Sequence, residues 1–223
     1  IMLGNSFATI TTAGGNVTLN GTAGAPSTTV PSAGSDHDTT VSILTDQQPG
    51  SGPALSIGNV TLQADRITKV PQATIVTGGN VTMAPLSPAW NMAIGVLDDG
   101  VTPALFLDPD TLSNITAGTL VLGSPAGGDI TVAGAVSLTG PMKLHLVSGG
   151  HITQQASLAV TELAVTAGGD VDLLDTGNAI GTIAIRADGR NVGFHTLENL
   201  TVGSVDGVDG IDVGTSGRII LGA

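Results

Sequence analysis

The chain has no cysteine and no tyrosine, and only one tryptophan and three phenylalanines in 223 residues. Without cysteine, a disulfide framework and thiolate metal sites are excluded, while the compartment stays open. With aromatics at 2%, a globular core that draws its volume from large rings is excluded as well. A narrow interior of stacked Val, Ile, Leu and Ala has no need of them. Cations are equally scarce: 6 Lys and Arg stand against 18 Asp and Glu, a formal charge of −12. Such a surface repels phosphate backbones and anionic bilayers, so nucleic-acid and membrane-surface partners are disfavoured. No run of 18 apolar residues is present, so no membrane span is expected, and Ile1 to Thr11 lack the basic start of a signal peptide. At 41% hydrophobic residues, the chain buries too much apolar surface to be disordered.

What the chain has is glycine, 33 residues of it, and a recurring phrase. A glycine is followed by a small polar residue, a β-branched residue and a threonine or aspartate, often with a further apolar residue. The phrase reads Gly15-Asn16-Val17-Thr18-Leu19, Gly58-Asn59-Val60-Thr61-Leu62 and Gly79-Asn80-Val81-Thr82-Met83. It returns as Gly128-Asp129-Ile130-Thr131-Val132, Gly150-His151-Ile152-Thr153-Gln154 and Gly169-Asp170-Val171-Asp172-Leu173. The intervals between its glycines are 43, 21, 49, 22 and 19 residues. A period near 20 marks a solenoid of stacked supersecondary units. Apolar residues alternate with Thr, Ser, Asn or Asp over three to five positions, as in Leu120/Leu122, Leu144/Leu146 and Ile183/Ile185, which is the pattern of many short strands. The expected fold is all-β: a right-handed parallel β-helix (solenoid) of about ten coils, roughly 20 residues per coil, on the order of 50 Å long, with irregular excursions. The glycine of the phrase is expected at a corner that needs positive φ.

Residues 1–223 read as a single β-helix segment with no domain boundary. The chain opens inside an apparent strand and closes on Arg218-Ile219-Ile220-Leu221-Gly222-Ala223, so it is read as a fragment of a longer chain. Two stretches break the period. Residues 21–52 are rich in Ser, Thr, Pro and Gly, and residues 84–110 hold Pro85, Pro88, Trp90 and Phe106. Both are expected as loop excursions or irregular coils, and loops of a solenoid are where binding concentrates. Trp90 is the binding candidate, because one exposed indole can anchor a contact.

The run Leu112-Ser113-Asn114-Ile115-Thr116-Ala117-Gly118-Thr119-Leu120-Val121-Leu122-Gly123 and its continuation Gly127-Gly128-Asp129-Ile130-Thr131-Val132 resemble repeats of filamentous haemagglutinin-like and autotransporter-type bacterial exoproteins. The resemblance is one of repeat texture and covers most of the chain. It implies a β-helical shaft, export to the extracellular space or bacterial cell surface, and adhesion or fibre assembly. The secretion module of that family is not among these residues, so the piece would be interior shaft. Implied partners are the chain itself, by end-to-end stacking or within a longer parent, and host or matrix glycans and proteins.

No residue cluster announces a reaction. Asp36-His37-Asp38 has the chemistry of a cation ligand or acid/base pair, but its setting is a Ser/Gly/Pro loop. In Val205-Asp206-Gly207-Val208-Asp209-Gly210-Ile211-Asp212, the carboxylates of Asp206, Asp209 and Asp212 make calcium the one cofactor to weigh, although an Asp-Gly turn needs no metal. The spacing also differs from the nonapeptide calcium repeat. No other cofactor is expected. Asp98-Asp99 and Asp108/Asp110 would be the acids of a pectin lyase- or hydrolase-like enzyme, the alternative function on this scaffold. Yet Arg66, Arg186, Arg190 and Arg218 are the only arginines, and few placements bring one beside these aspartates. Turn aspartates are the simpler reading. His151 fills the polar slot of the phrase and reads as a corner residue. Its neighbour in sequence His145 carries no assigned role, and His195 beside Phe194 reads as packing. Sequons at Asn16, Asn20, Asn59, Asn80, Asn114 and Asn199 follow from the Asn-Val-Thr texture and admit glycosylation without demanding it. The sequence therefore points to a non-catalytic, adhesive or filament-forming shaft.

Overall fold

Short alternating segments bounded by glycine can satisfy their backbone only by pairing with one another, and here they pair in parallel, one repeat apart. A computed structural model describes residues 17–20, 40–41, 58–67, 75–138 and 142–222, with side chains for all of these except 17–20, 40–41 and 76. The protein is all-β. One five-residue helix, Pro109–Ser113, is the only helix among the described residues. Apart from Thr40–Val41, the 21–52 stretch lies outside the described residues, and so does Asp36-His37-Asp38.

Two parallel sheets carry the fold, and the chain alternates between them. The first runs Val17–Asn20, Val60–Gln63, Asn80–Ala84, Thr119–Ser124, Lys143–Ser148, Leu158–Ala167, Ala179–Arg186, Thr201–Val202, in chain order. The second runs Ala104–Leu107, Asn91–Ile94, Ile130–Val132, Ile152–Gln154, Val171–Leu173, Val192–His195, Ile219–Gly222. Ile75–Val76 and Ile115–Thr116 form a separate two-stranded parallel sheet, and Val136–Ser137 joins the first sheet by pairing with Leu158–Ala159. Successive strands adding in parallel at each return of the chain are compatible with a β-helix or solenoid.

Register stacks like on like. In the first sheet Val60, Val81, Leu120, Leu144, Leu163 and Ile183 are successive partners. In the second, Met92, Ile130, Ile152, Val171 and Val192 follow one another. These residues join one buried cluster. The period-two alternation is therefore the sidedness of each strand: Leu144 and Leu146 face in, while Lys143 and His145 do not. Phe194, fully buried at the second sheet, is the one phenylalanine in this cluster. Aliphatic stacking supplies the rest of the volume.

The Gly-Asn/Asp/His phrase is a corner device. The side chain in its polar slot accepts a hydrogen bond from the backbone N–H of the equivalent residue one repeat later. Asn59 Oδ1 takes Asn80 N at 2.8 Å. At the entry to the second sheet a continuous ladder runs Asn91 to Asp129 (2.9 Å), Asp129 to His151 (2.7 Å), His151 Nδ1 to Asp170 (3.0 Å) and Asp170 to Asn191 (2.9 Å). Two corners add a buried hydroxyl. Thr77 Oγ1 donates to Gly58 O and accepts from Gly79 N, and Ser148 Oγ likewise links Gly128 O with Gly150 N.

The glycines of the phrase do not have positive φ at Gly79, Gly128, Gly150 or Gly169, which corrects the expectation drawn from the sequence. They are glycine because the preceding repeat comes too close. A Cβ on Gly79 would lie 2.6 Å from Asn59 Oδ1, and one on Gly150 or Gly128 would fall on the ladder oxygen of Asp129 or Asn91.

Residues 84–110 join the stack. Asn91–Ile94 lies beside Ile130–Val132, and Ala104–Leu107 then pairs parallel on its other side, Asn91 with Ala104 and Ile94 with Leu107. The chain thus steps back by one strand before it goes on, which accounts for the long interval in the repeat. Residues 95–103 connect the two strands and expose Leu97 and Val101.

Two measurements test this account. Leu146→Ala, at a fully buried site, is expected to cost about 2–5 kcal/mol in denaturant unfolding. His151→Asn keeps the ladder acceptor and should leave the midpoint nearly unchanged, whereas His151→Ala should lose about 1 kcal/mol.

Candidate functional site

A carboxylate, an imidazole and two hydroxyls meet on the outer face of the first sheet, under a hairpin. The strand level beyond Ala179–Arg186 is interrupted. Thr201 and Val202 pair with Thr182 and Ile183, and Ile211 and Asp212 pair with Ile185 and Arg186. Opposite Ala184 the chain leaves the sheet at Gly203 and returns at Gly210, whose N–H bonds Gly203 O at 2.7 Å. Between them Ser204–Val205 and Val208–Asp209 form an antiparallel hairpin. Its two-residue turn is Asp206-Gly207, both at positive φ (47° and 79°), the combination a type I′ turn requires and Asp-Gly favours.

The hairpin lies along one outward column of the sheet, formed by the register partners Ala184, Ala164, His145 and Val121. Val205 packs on Ala164 and Ala184, and all three are fully buried. Only small side chains leave room for such a strap. At its tip Asp206 Oδ2 meets His145 Nδ1 at 2.7 Å and Asp206 Oδ1 accepts from Thr119 Oγ1 at 3.3 Å. His145 Nε2 reaches Thr166 Oγ1 at 3.0 Å. Because a carboxylate can only accept, Nδ1 carries a proton. The strap therefore crosses four strands, from Ala179–Arg186 to Thr119–Ser124, and is held at its far end by a charge-assisted bond.

Carboxylate, imidazole and hydroxyl in sequence also describe a nucleophile relay. Thr166, however, sits in a strand paired on both sides, with Lys143–Ser148 and Ala179–Arg186. Its neighbours' N–H groups are committed to the sheet and are not free to serve an oxyanion beside Thr166. What the arrangement does is fasten the hairpin.

The other sequence candidates are dispersed. Of Asp206, Asp209 and Asp212, the first binds His145, the second is exposed, and the third accepts Gly214 N at 2.9 Å. No group of three or more His, Asp or Glu among the described residues is placed to hold a metal ion. Trp90 is half-buried and packs against the core, and its carbonyl accepts Gly128 N at 2.9 Å. Its indole thus forms part of the core's rim just ahead of Asn91. His151 is a member of the corner ladder, and His195 is half-buried next to the fully buried Phe194.

An arginine does stand beside one of the acidic pairs, contrary to the expectation. Arg66 Nε donates to Asp98 Oδ2 at 2.7 Å and ties the 95–103 connection to the strand Arg66–Ile67. Asp99 accepts from Val101 N, Thr102 N and Thr102 Oγ1, and the Thr102 hydroxyl first, then the backbone donors, hold its carboxyl below the ordinary value. Asp108 caps the short helix, accepting Thr111 N at 2.8 Å and Thr111 Oγ1 at 2.7 Å. Burial works against its charge, but these bonds outweigh it and its carboxyl is also lowered. Asp65, a carboxylate not singled out from the sequence, is buried and accepts Leu86 N, Ser87 N and Ser87 Oγ. In each case the acid serves a turn, a cap or a link between repeats.

Compared with known proteins, the chain matches no family model, no curated protein and no solved structure.

Replacing Ala184 by Leu should lift the hairpin, and Asp206→Asn should loosen its tip by removing the charge from the bond. Both are expected to raise amide exchange and protease cleavage within 203–210 while far-UV circular dichroism stays that of the parent. Unchanged protection in Ala184→Leu would contradict the packing described.

Proposed function

We propose that this chain is a shaft segment of an extracellular, adhesive or filament-forming bacterial surface protein, wound as a right-handed parallel β-helix of about ten coils and carrying no catalytic centre. The observation that supports this reading is the use to which polar side chains are put. Corner Asn, Asp and His residues, the buried Thr77 and Ser148 hydroxyls, and the Asp65 and Asp108 carboxylates are spent on joining one repeat or turn to the next. An enzyme keeps some of these groups uncommitted and convergent. A fully buried Asn178 follows the same rule: it bonds Gln154, Leu158 N, Leu173 O and His195 O, linking three repeats.

The first partner is the chain's own architecture. The strand Ile219–Gly222 presents an edge with Ile219, Ile220 and Leu221 half-exposed, suited to the next parallel strand of a longer polypeptide or of a stacked subunit. Host or matrix surfaces are the second partner. The acidic composition keeps the shaft soluble and away from nucleic acid.

The reading is tested by displaying residues 1–223 on a non-adherent bacterium and counting attachment to host cells and matrix, with electron microscopy of the purified chain beside it. Increased attachment, or slender rods and fibres, is expected. Release of reducing ends or unsaturated uronides from pectins or host glycans by the purified chain would overturn the non-catalytic assignment and favour the polysaccharide-degrading alternative.

A further inference from the structure

We infer that the sequon Asn199-Leu200-Thr201 is an N-glycan acceptor of the folded protein, singled out by its geometry from the sequons at Asn59, Asn80 and Asn114. In the transfer, the carboxamide Nδ2 attacks C1 of a sugar linked to a lipid diphosphate. A C1–N bond forms, the C1–O bond to phosphate breaks, the lipid diphosphate leaves with the electron pair, and the amide nitrogen gives up one proton to base. The acceptor must therefore offer an uncommitted carboxamide, a hydroxyl two residues on, and backbone that can enter an enzyme groove without dismantling a sheet.

Three sequons fail on these counts. Asn59 spends its Oδ1 on Asn80 N, and its Val60 and Thr61 are paired on both sides, with Val17–Asn20 and Asn80–Ala84. Asn80 and its Thr82 lie inside a strand between Val60–Gln63 and Thr119–Ser124. Asn114 already donates its Nδ2, the atom that must react, to Asp110 O at 2.7 Å.

Asn199 meets all three requirements. It is exposed and lies in the irregular connection between Val192–His195 and Thr201–Val202. The connection is fixed only at its flanks. Upstream, Thr196 Oγ1 accepts Glu198 N at 3.3 Å and Leu197 N donates to Asn178 O at 2.8 Å; downstream, Leu200 packs on the core. Thr201 is exposed and belongs to a two-residue strand paired, among the described residues, only with Ala179–Arg186. Leu197, exposed to 70%, adds an apolar contact beside the acceptor.

The experiment is done in vitro, so that it does not depend on export. The folded chain is incubated with an oligosaccharyltransferase and a lipid-diphosphate-linked oligosaccharide, and occupancy is read by intact mass and peptide mapping. Synthetic peptides spanning each sequon serve as acceptors that have no fold. The four peptides should be modified comparably, whereas in the folded chain Asn199 should exceed Asn59, Asn80 and Asn114 by about tenfold or more, because strand sequons must first open locally. Asn199→Gln and Thr201→Val should each abolish modification at this site with circular dichroism unchanged. A folded chain left unmodified at Asn199 while its peptide is accepted, or equal occupancy at a strand sequon, would overturn the inference.

Discussion

Where this chain turns from one strand into the next, a backbone N–H faces the preceding repeat with no strand carbonyl to receive it. An unpaired polar group there would cost on the order of 1–3 kcal/mol at every corner, and many corners repeat. The protein meets five of them with a side chain from the repeat before: Asn91, Asp129, His151 and Asp170 in unbroken succession at the second sheet, and Asn59 at the first. Those bonds fix the vertical alignment of the corners. Once corners align, apolar positions align too, and Leu120, Leu144 and Leu163 fall above one another. Where a glycine precedes the polar residue, as at Gly79, Gly128 and Gly150, it is a consequence of the same approach, since the accepting oxygen of the earlier repeat occupies the place of its Cβ.

The phrase that carries these corners was visible in the sequence, and so were strand sidedness, the aliphatic interior and the part played by His151. The phase of the repeat was not. Gly79 and Gly128 are 49 residues apart because, besides the step back by one strand, the phrase changes corner between them: Gly79 leads into the first sheet and Gly128 into the second. Gly79 has Gly118 as its structural counterpart, bonded through Gly118 N to Gly79 O at 2.9 Å. The local chemistry of a turn is the same at either corner, so sequence alone could not tell one from the other. Arg66 beside Asp98 was hidden for a related reason: strand Ala104–Leu107 is set back beneath Asn91–Ile94, an inversion that no periodicity encodes.

The strap left a fainter trace. Many outward strand positions hold Thr, Asp, Lys or Glu, yet Ala164 and Ala184 stand at outward positions of the most extensively paired strands. Apolar residues of minimal size on a solvent face are a sign that the face is covered. With Asp206-Gly207 read as a hairpin turn, the two observations together locate both the cover and what it covers. The partner of its tip remains beyond reach of sequence reasoning, because His145 is brought beneath Asp206 only by stacking the two intervening strands, Leu158–Ala167 and Ala179–Arg186, in register.

That tip changes the energetics of the array. Where stacked parallel strands contact their neighbours alone, as in repeat proteins, stability propagates as a sum of nearest-neighbour terms and unfolding can begin at any interface. Asp206 departs from this. It is rooted opposite Ala184 but bonds His145 two strands away and Thr119 three strands away. Separating any of the interfaces between these strands must also break the tip contact or tear Val205 from Ala164 and Ala184. The bond itself is modest, but it couples interfaces that would otherwise fail one at a time, and coupling raises cooperativity more than it raises any single contact energy. The eight residues from Gly203 to Gly210 supply it without disturbing the register on either side, where Ile183 still meets Val202 and Ile185 meets Ile211.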